Sequence, residues 1–415
     1  MICQSIFLFA TIYMEVVFMK TLQLSENLYY VGVVDKGLQV FDVIMPTSHG
    51  TTYNSYLLKT SEGAVIFEGS KAEFEEEYLE HISSIVSLSD IKYLVVAHTE
   101  PDHSGAIEAL LKKNPDITVL ASSAGLNNLK NILRFPFKSQ PMLPNKELKV
   151  GEYTLQFVSG LFCHWPDVMF TYIKEKKALV SCDAFGAHYA TDDILLSKEK
   201  NLDLYHEMFD YYFKCIMSPF ASFAIQASDK ADKLDLDMIL PGHGPVIDTD
   251  VKDVINRFHE EGKKYLVSND QNKVTLVYAS CYGYTGKMAS YLKDKFEKEG
   301  KKVAFYQIDA LNYASLKDNI LKDIRTSGMV LFGTPTIVND AVSLFYDLVN
   351  SELSIFFTNK NASVFGDYGW SGEAVGNLSS FLALKKFKVI EGFRYSFKVD
   401  EAGYQALDEY FERIK

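Results

Sequence analysis

Residues 98–105, His98-Thr99-Glu100-Pro101-Asp102-His103-Ser104-Gly105, put four metal-binding side chains into six positions, directly after the apolar run 93–97 (YLVVA). That run reads as a buried parallel strand, so the loop leaving it delivers its side chains at the carboxyl edge of a sheet. Pro101 holds Glu100 extended, and Ser104-Gly105 followed by AIEALLKK predicts a helix over 104–113. One such residue is ordinary as a solvated loop polar. Four of them, His98, Glu100, Asp102 and His103, converging on one strand end predict a metal site.

Three more polar residues each close an apolar run at a turn: His164 in LFCHWPDVMF, Asp183 in ALVSCDAFG and His243 in MILPGHGP. An HxExDH loop followed by a His, an Asp and a His resembles the metallo-β-lactamase fold in its diiron form. The zinc hydrolases of that fold carry HxHxDH, whereas Glu100 brings a hard carboxylate oxygen into a set of imidazoles. That ligand chemistry suits iron and oxygen chemistry better than a zinc-bound hydroxide.

At 415 residues the chain has room for two or three domains, and 47% hydrophobic with 23% charged residues is an ordinary globular balance. A net charge of −12 argues against nucleic acid as partner, because phosphate binding needs a cationic face. The five cysteines, Cys3, Cys163, Cys182, Cys215 and Cys281, form no CxxC pair; free thiols and a cytoplasmic, reducing location are expected. Residues 1–21 begin with an apolar run that lacks a basic start and is interrupted by Glu15, short of the ~18–20 residues a membrane span needs. They read as an extension upstream of the first domain, and no membrane association is expected.

From residue 22 to 267 short strands and helices alternate as in an αββα sandwich, with an aromatic, Met-rich segment at 201–233 that reads as a helix covering the site or an interface. The polar stretch 268–273 (SNDQNK) reads as a linker. From 274 to 415 the pattern is five strands, each followed by a helix, the doubly wound flavodoxin-like order in which ligands bind beyond strand carboxyl ends.

Three loops of this half suit a flavin mononucleotide. The first, Ser280, Cys281, Tyr282, Gly283, Tyr284, Thr285, leaves strand one and opens a helix, so hydroxyls and N–H groups can hold a phosphate; it resembles the flavodoxin phosphate loop. The second carries Thr334, Pro335, Thr336, Ile337 and Asn339. The third carries Tyr368, Gly369, Trp370 and Gly372, whose glycines let the indole lie exposed against a flat ring.

A dinuclear site joined to a flavodoxin-like domain resembles the flavodiiron proteins over nearly the whole chain, and all seven ligand positions of that family are filled. The resemblance implies that His98, Glu100 and His164 bind one iron, that Asp102, His103 and His243 bind the other, and that Asp183 bridges them. It further implies an oxidoreductase with two Fe ions and FMN that reduces dioxygen to water, nitric oxide to nitrous oxide, or both. Electrons would come from a separate rubredoxin-like donor or a reduced deazaflavin, in a head-to-tail homodimer or a dimer of dimers. His188 and His49, near ligand segments, are candidates for orienting ligands or delivering protons; a packing role is the alternative for each. Trp165 would wall the gas pocket. Competing readings are a two-zinc hydrolase with a flavodoxin-like docking module, and a slow FMN and iron electron carrier or gas sensor.

Overall fold

Gly32 breaks what reads as one strand into two, and the break shapes the site: a Cβ there would sit 2.5 Å from the Tyr53 carbonyl oxygen. In this computed structural model, which describes residues 21–191 and 193–415, Leu28–Tyr30 stays in the main sheet. Val33–Asp35 instead pairs with Thr51–Tyr53 as a separate ribbon. The expected extension over 1–21 lies outside the described residues except for Thr21. Among the described residues no helix is long and apolar enough to cross a membrane.

The chain divides into two units, one ending at Glu260 and the next beginning at Glu261. In the first, a seven-stranded sheet runs in the order Leu22–Ser25, Leu28–Tyr30, Tyr56–Thr60, Gly63–Phe67, Ile91–Val95, Thr118–Ala121, Lys138–Pro141. A five-stranded sheet, Glu147–Val150 through Met238–Pro241, faces it. Leu58, Val65, Phe67 and Val95 from one sheet meet Leu155, Phe157, Val180 and Leu240 from the other in a single apolar layer. Each such side chain, removed from water, contributes about 1.5–3 kcal/mol. The outer face of the larger sheet is covered by Tyr78, Ile82, Leu110 and Leu129 from helices, which completes the expected αββα sandwich. Ile91–Val95 is parallel to both neighbours, and Leu94 to Ala97 are buried, so the apolar run before His98 follows from burial on two faces.

In the second unit the strands Lys302–Gln307, Asp270–Tyr278, Ser327–Gly333 and Asn361–Tyr368 lie in that order, all parallel, the flavodoxin order of strands. The fifth strand, read as one run, is two short pieces, Lys388–Val389 and Phe393–Ser396. The backbone bends at Gly392, where a Cβ would meet the Val364 carbonyl oxygen at 2.5 Å.

The polar stretch 268–273 is no free linker. The strand Asp270–Tyr278 already begins inside it, and Lys360 Nζ donates to Ser268 O and Asn269 Oδ1 as well as to Arg325 O and Ser327 O. A buried ammonium needs acceptors on all sides, and this one takes part of its set from the stretch that local composition marks as a loop.

Candidate functional site

The strand Ile91–Val95 ends just before His98, and Pro101 opens a helical turn, Pro101–Ser104, with Glu100 extended at φ −56 and ψ 142 as its N-cap. Asp102 and His103 therefore sit on a short helix rather than on a loop, and the longer helix starts only at Ile107. The turn aims Asp102 and His103 away from His98 and Glu100, so that one eight-residue stretch serves two adjacent clusters.

In the first cluster His98 Nε2 and His164 Nε2 lie 3.1 and 2.9 Å from the same Glu100 oxygen, and 3.5 and 3.3 Å from Asp183 Oδ2. In the second, His243 Nε2 lies 3.2 Å from Asp102 Oδ2, and His103 and His243 lie 2.9 and 3.4 Å from Asp183 Oδ1. The structure thus brings all seven sequence-predicted residues together and places Asp183 between the two groups with one oxygen toward each. Six are nearly or fully buried or, like Glu100, have a side chain only 14% exposed; His164, at 15%, lines the open side with it.

Three carboxylates packed against four imidazoles form a field that calls for cations. Burial alone would push the Asp183 carboxyl up, but His103, His164 and His98 outweigh it and hold it well below the usual carboxylate range. Glu100 and Asp102 are lowered for the same reason, against burial. In turn, burial is outweighed at His98, which Asp167 and Glu100 lift to about 9, and at His164, which Asp183 and Glu100 lift to about 10. Both Asp102 oxygens are buried without a well-formed hydrogen bond. Orphaned buried oxygens beside convergent Nε2 atoms fit two divalent ions.

Groups behind the imidazoles fix which nitrogen faces inward. Asp167 Oδ1 lies 3.2 Å from His98 Nδ1, while its other oxygen accepts the Thr99 N–H at 2.9 Å and the Thr99 hydroxyl at 2.5 Å. The Thr52 carbonyl accepts from His243 Nδ1 at 2.6 Å. Both pairings leave the Nε2 lone pair for a metal. His188 is buried among Phe41, Tyr212 and His243, with ring centroids 4.3, 4.8 and 5.0 Å away. Its Nδ1 is 2.9 Å from the Thr51 hydroxyl, and its Nε2 is buried without a partner. His49 is not brought to the seven: it is half-buried, its ring is 6.2 Å from Tyr189, and it lines a polar pocket of about 310 Å³ with Lys198 and Lys200. Trp165 meets His98 edge-on at 4.9 Å. The aromatic segment is helical at Leu202–Tyr212 and Ala221–Ala231 and does cover the site, through Tyr212 and through Phe220, 6.5 Å from His164.

In the second unit the three loops expected to suit a flavin leave adjacent strands. Gly283 takes φ +82 before the helix Tyr284–Lys298, and Ser280 Oγ accepts the Gly286 N–H at 3.2 Å. Tyr282 and Trp370 are 86% and 90% exposed, as a ring-stacking surface requires, and Ile337 and Asn339 are exposed with them. Tyr368, Gly369 and Gly372 are half-buried or buried beside Trp370, and Cys281 is exposed. Thr334 is turned inward: its hydroxyl donates to Pro335 O and accepts the Val342 N–H, while Thr336 N–H bonds Asp367 O.

The model of the ODP family beta lactamase matches residues 51–244, and that of flavodoxin matches residues 276–413. A flavo-diiron protein, FprA2 of Clostridium acetobutylicum, is 32% identical over 92% of this chain and 96% of its own length. The chain belongs to the flavo-diiron protein family. A nitric oxide reductase of Moorella thermoacetica is 29% identical over 88% of this chain and 90% of that protein. The solved structure of rubredoxin oxygen:oxidoreductase from Desulfovibrio gigas is similar with a TM-score of 0.66 and 25% identity, covering 95% of this chain and 98% of that one.

Some functional neighbours in this flavo-diiron protein are not legible in its sequence. Asp167 stands three positions after His164 yet supports His98, and no local pattern joins residues 98 and 167. Glu68 is fully buried, accepts the Ala97 N–H at 2.8 Å, and has an oxygen within 4.8 Å of His103 and Cys182. Burial pushes its carboxyl up to about 7. The one available signal was an acid closing the apolar run 64–67, the same signature that marked Asp183.

Proposed function

We propose that this chain is an oxidoreductase that uses a non-haem diiron site and FMN to reduce dioxygen to water, nitric oxide to nitrous oxide, or both. The observation that carries the reading is the division of Asp183, Oδ1 toward His103 and His243 and Oδ2 toward His98 and His164. A carboxylate so placed between two histidine and acid groups is suited to bridging two ions. His98, Glu100 and His164 hold one, and Asp102, His103 and His243 hold the other. Two irons held there, with an FMN in the carboxyl-terminal unit, would supply the redox chemistry for reducing a diatomic gas.

The chain's own residues do the rest. Trp165 and Phe220 exclude water beside His98 and His164. Burial, then His243, keeps His188 well below the usual imidazole range, so it is neutral and can hold a proton on one ring nitrogen while the other accepts. The Thr51 hydroxyl, 2.9 Å from His188 Nδ1, holds that ring in place. In the carboxyl-terminal unit Ser280 to Thr285 would hold the flavin phosphate and Trp370 would stack on its ring.

On this reading electrons arrive from a separate rubredoxin-like donor in the cytoplasm, and the protein works as a head-to-tail homodimer or a dimer of dimers. Support for the donor is the name carried by the Desulfovibrio gigas structure. The deciding experiment is metal and flavin analysis followed by anaerobic stopped-flow of the reduced protein with each gas in turn. Two irons and one FMN per chain with repeated turnover are expected. A colourless zinc protein, or a single oxidation without turnover, would overturn the proposal.

A further inference from the structure

The carboxyl-terminal unit places an acid where its phosphate loop has its best donors. The helix Tyr284–Lys298 has Gly283 as N-cap, and the loop's Ser280 Oγ takes the Gly286 N–H at 3.2 Å, but no side chain of the loop caps the Thr285 N–H. Asp367, from the strand Asn361–Tyr368, does so instead: its Oδ1 accepts the Thr285 N–H at 3.0 Å and also the Thr285 hydroxyl in a shorter bond. Thr285 is fully buried, so neither donor can turn to solvent. The negative charge is felt across the loop, since after burial Asp367 is the group that raises the Cys281 thiol. A carboxylate at this position satisfies orphan N–H groups and favours the helix dipole. A flavin phosphate in a loop of this kind uses the same groups.

We propose that Asp367 determines flavin selectivity, competing with the 5′-phosphate of FMN for the Thr285 N–H and hydroxyl so that the phosphate adds little to flavin affinity. The inference rests on the reading of this unit as an FMN module. Two anions cannot share one pair of donors: with the phosphate bound, Asp367 must give up both bonds and remain close to a like charge. At about 4 Å separation that repulsion weakens binding by roughly fivefold in a water-like setting and by about a thousandfold near a protein surface. Riboflavin carries no phosphate and meets no such penalty. FMN and riboflavin are therefore held with affinities within about tenfold of each other.

The test is a fluorescence titration of the full-length protein, stripped of flavin, with FMN and with riboflavin. In the unmodified protein the ratio of the two affinities is expected below about tenfold, and a larger ratio overturns the proposal. Asp367→Asn keeps an acceptor for the Thr285 hydroxyl and removes the charge. It should tighten FMN by about tenfold or more while moving riboflavin less than about threefold, and Asp367→Ser should shift the ratio in the same direction. An unmoved ratio in both variants, or equal tightening of both flavins, overturns the assignment to Asp367 and leaves the flavin reading standing. Absence of binding by either flavin to all three proteins overturns both.

Discussion

Asp183 Oδ1 lies 2.9 Å from His103 Nε2 at the centre of the amino-terminal unit, with Oδ2 turned the other way toward His164 at 3.3 Å. One side chain thus serves both halves of the cluster, whereas every other member belongs to one. Asp183→Ala should reduce bound iron from two per chain to below one and leave the flavin in place. Metal analysis beside the flavin absorbance reads both; equal loss of the two cofactors would contradict the division of labour between the units.

Asp167 touches no predicted ligand oxygen, only His98 Nδ1 and Thr99. Asp167→Asn keeps the shape but removes the charge that fixes the ring, so iron affinity should fall by about 10- to 100-fold with the fold intact. Chelator competition against unmodified protein measures this, and an unchanged iron off-rate would show that Asp167 serves packing alone.

His188 sets a pH dependence. Its folded pKa is held well below the ordinary value by burial and then by His243. Below pH ~6.5 the unfolded chain takes up a proton here that the folded chain does not, so the stability present above that pH is lost as pH falls. His188→Gln should flatten the difference between urea midpoints at pH 7 and pH 5.5. Parallel loss in both proteins would assign the acid sensitivity to other groups.

Lys360 Nζ has four acceptors, three of them backbone carbonyls. Lys360→Met fills the volume but leaves those carbonyls without their shared donor, and about 2–4 kcal/mol of stability in the carboxyl-terminal unit should be lost. Urea unfolding followed through the flavin signal reports it. A change under about 0.5 kcal/mol would mean that water replaces the ammonium.

Expectation and structure part at identifiable places. The run before residue 98 and the seven ligand-type residues were legible, because apolar strands ending in chemically distinctive side chains leave a local trace. The two halves of the ligand stretch required a helical turn at Pro101, which four residues cannot announce. His49 and His188 look alike in sequence, each within two residues of a glycine and next to an aromatic or hydroxyl residue. Only the ribbon Val33–Asp35 with Thr51–Tyr53 decides between them, carrying Thr51 to His188 and leaving His49 in a separate pocket. The stretch 268–273 misled because polar composition marks solvent exposure in general but cannot foresee a buried lysine that takes its acceptors there.

The sequence by itself determined the two-unit architecture and the seven clustered residues, since each depends on spacing and side-chain type within a short window. Tertiary structure alone decided which groups stand behind His98 and His243, and that Asp367 meets Thr285. Those pairings join residues that are tens to hundreds of positions apart, and their energies exist only once the sheets have closed and water has left.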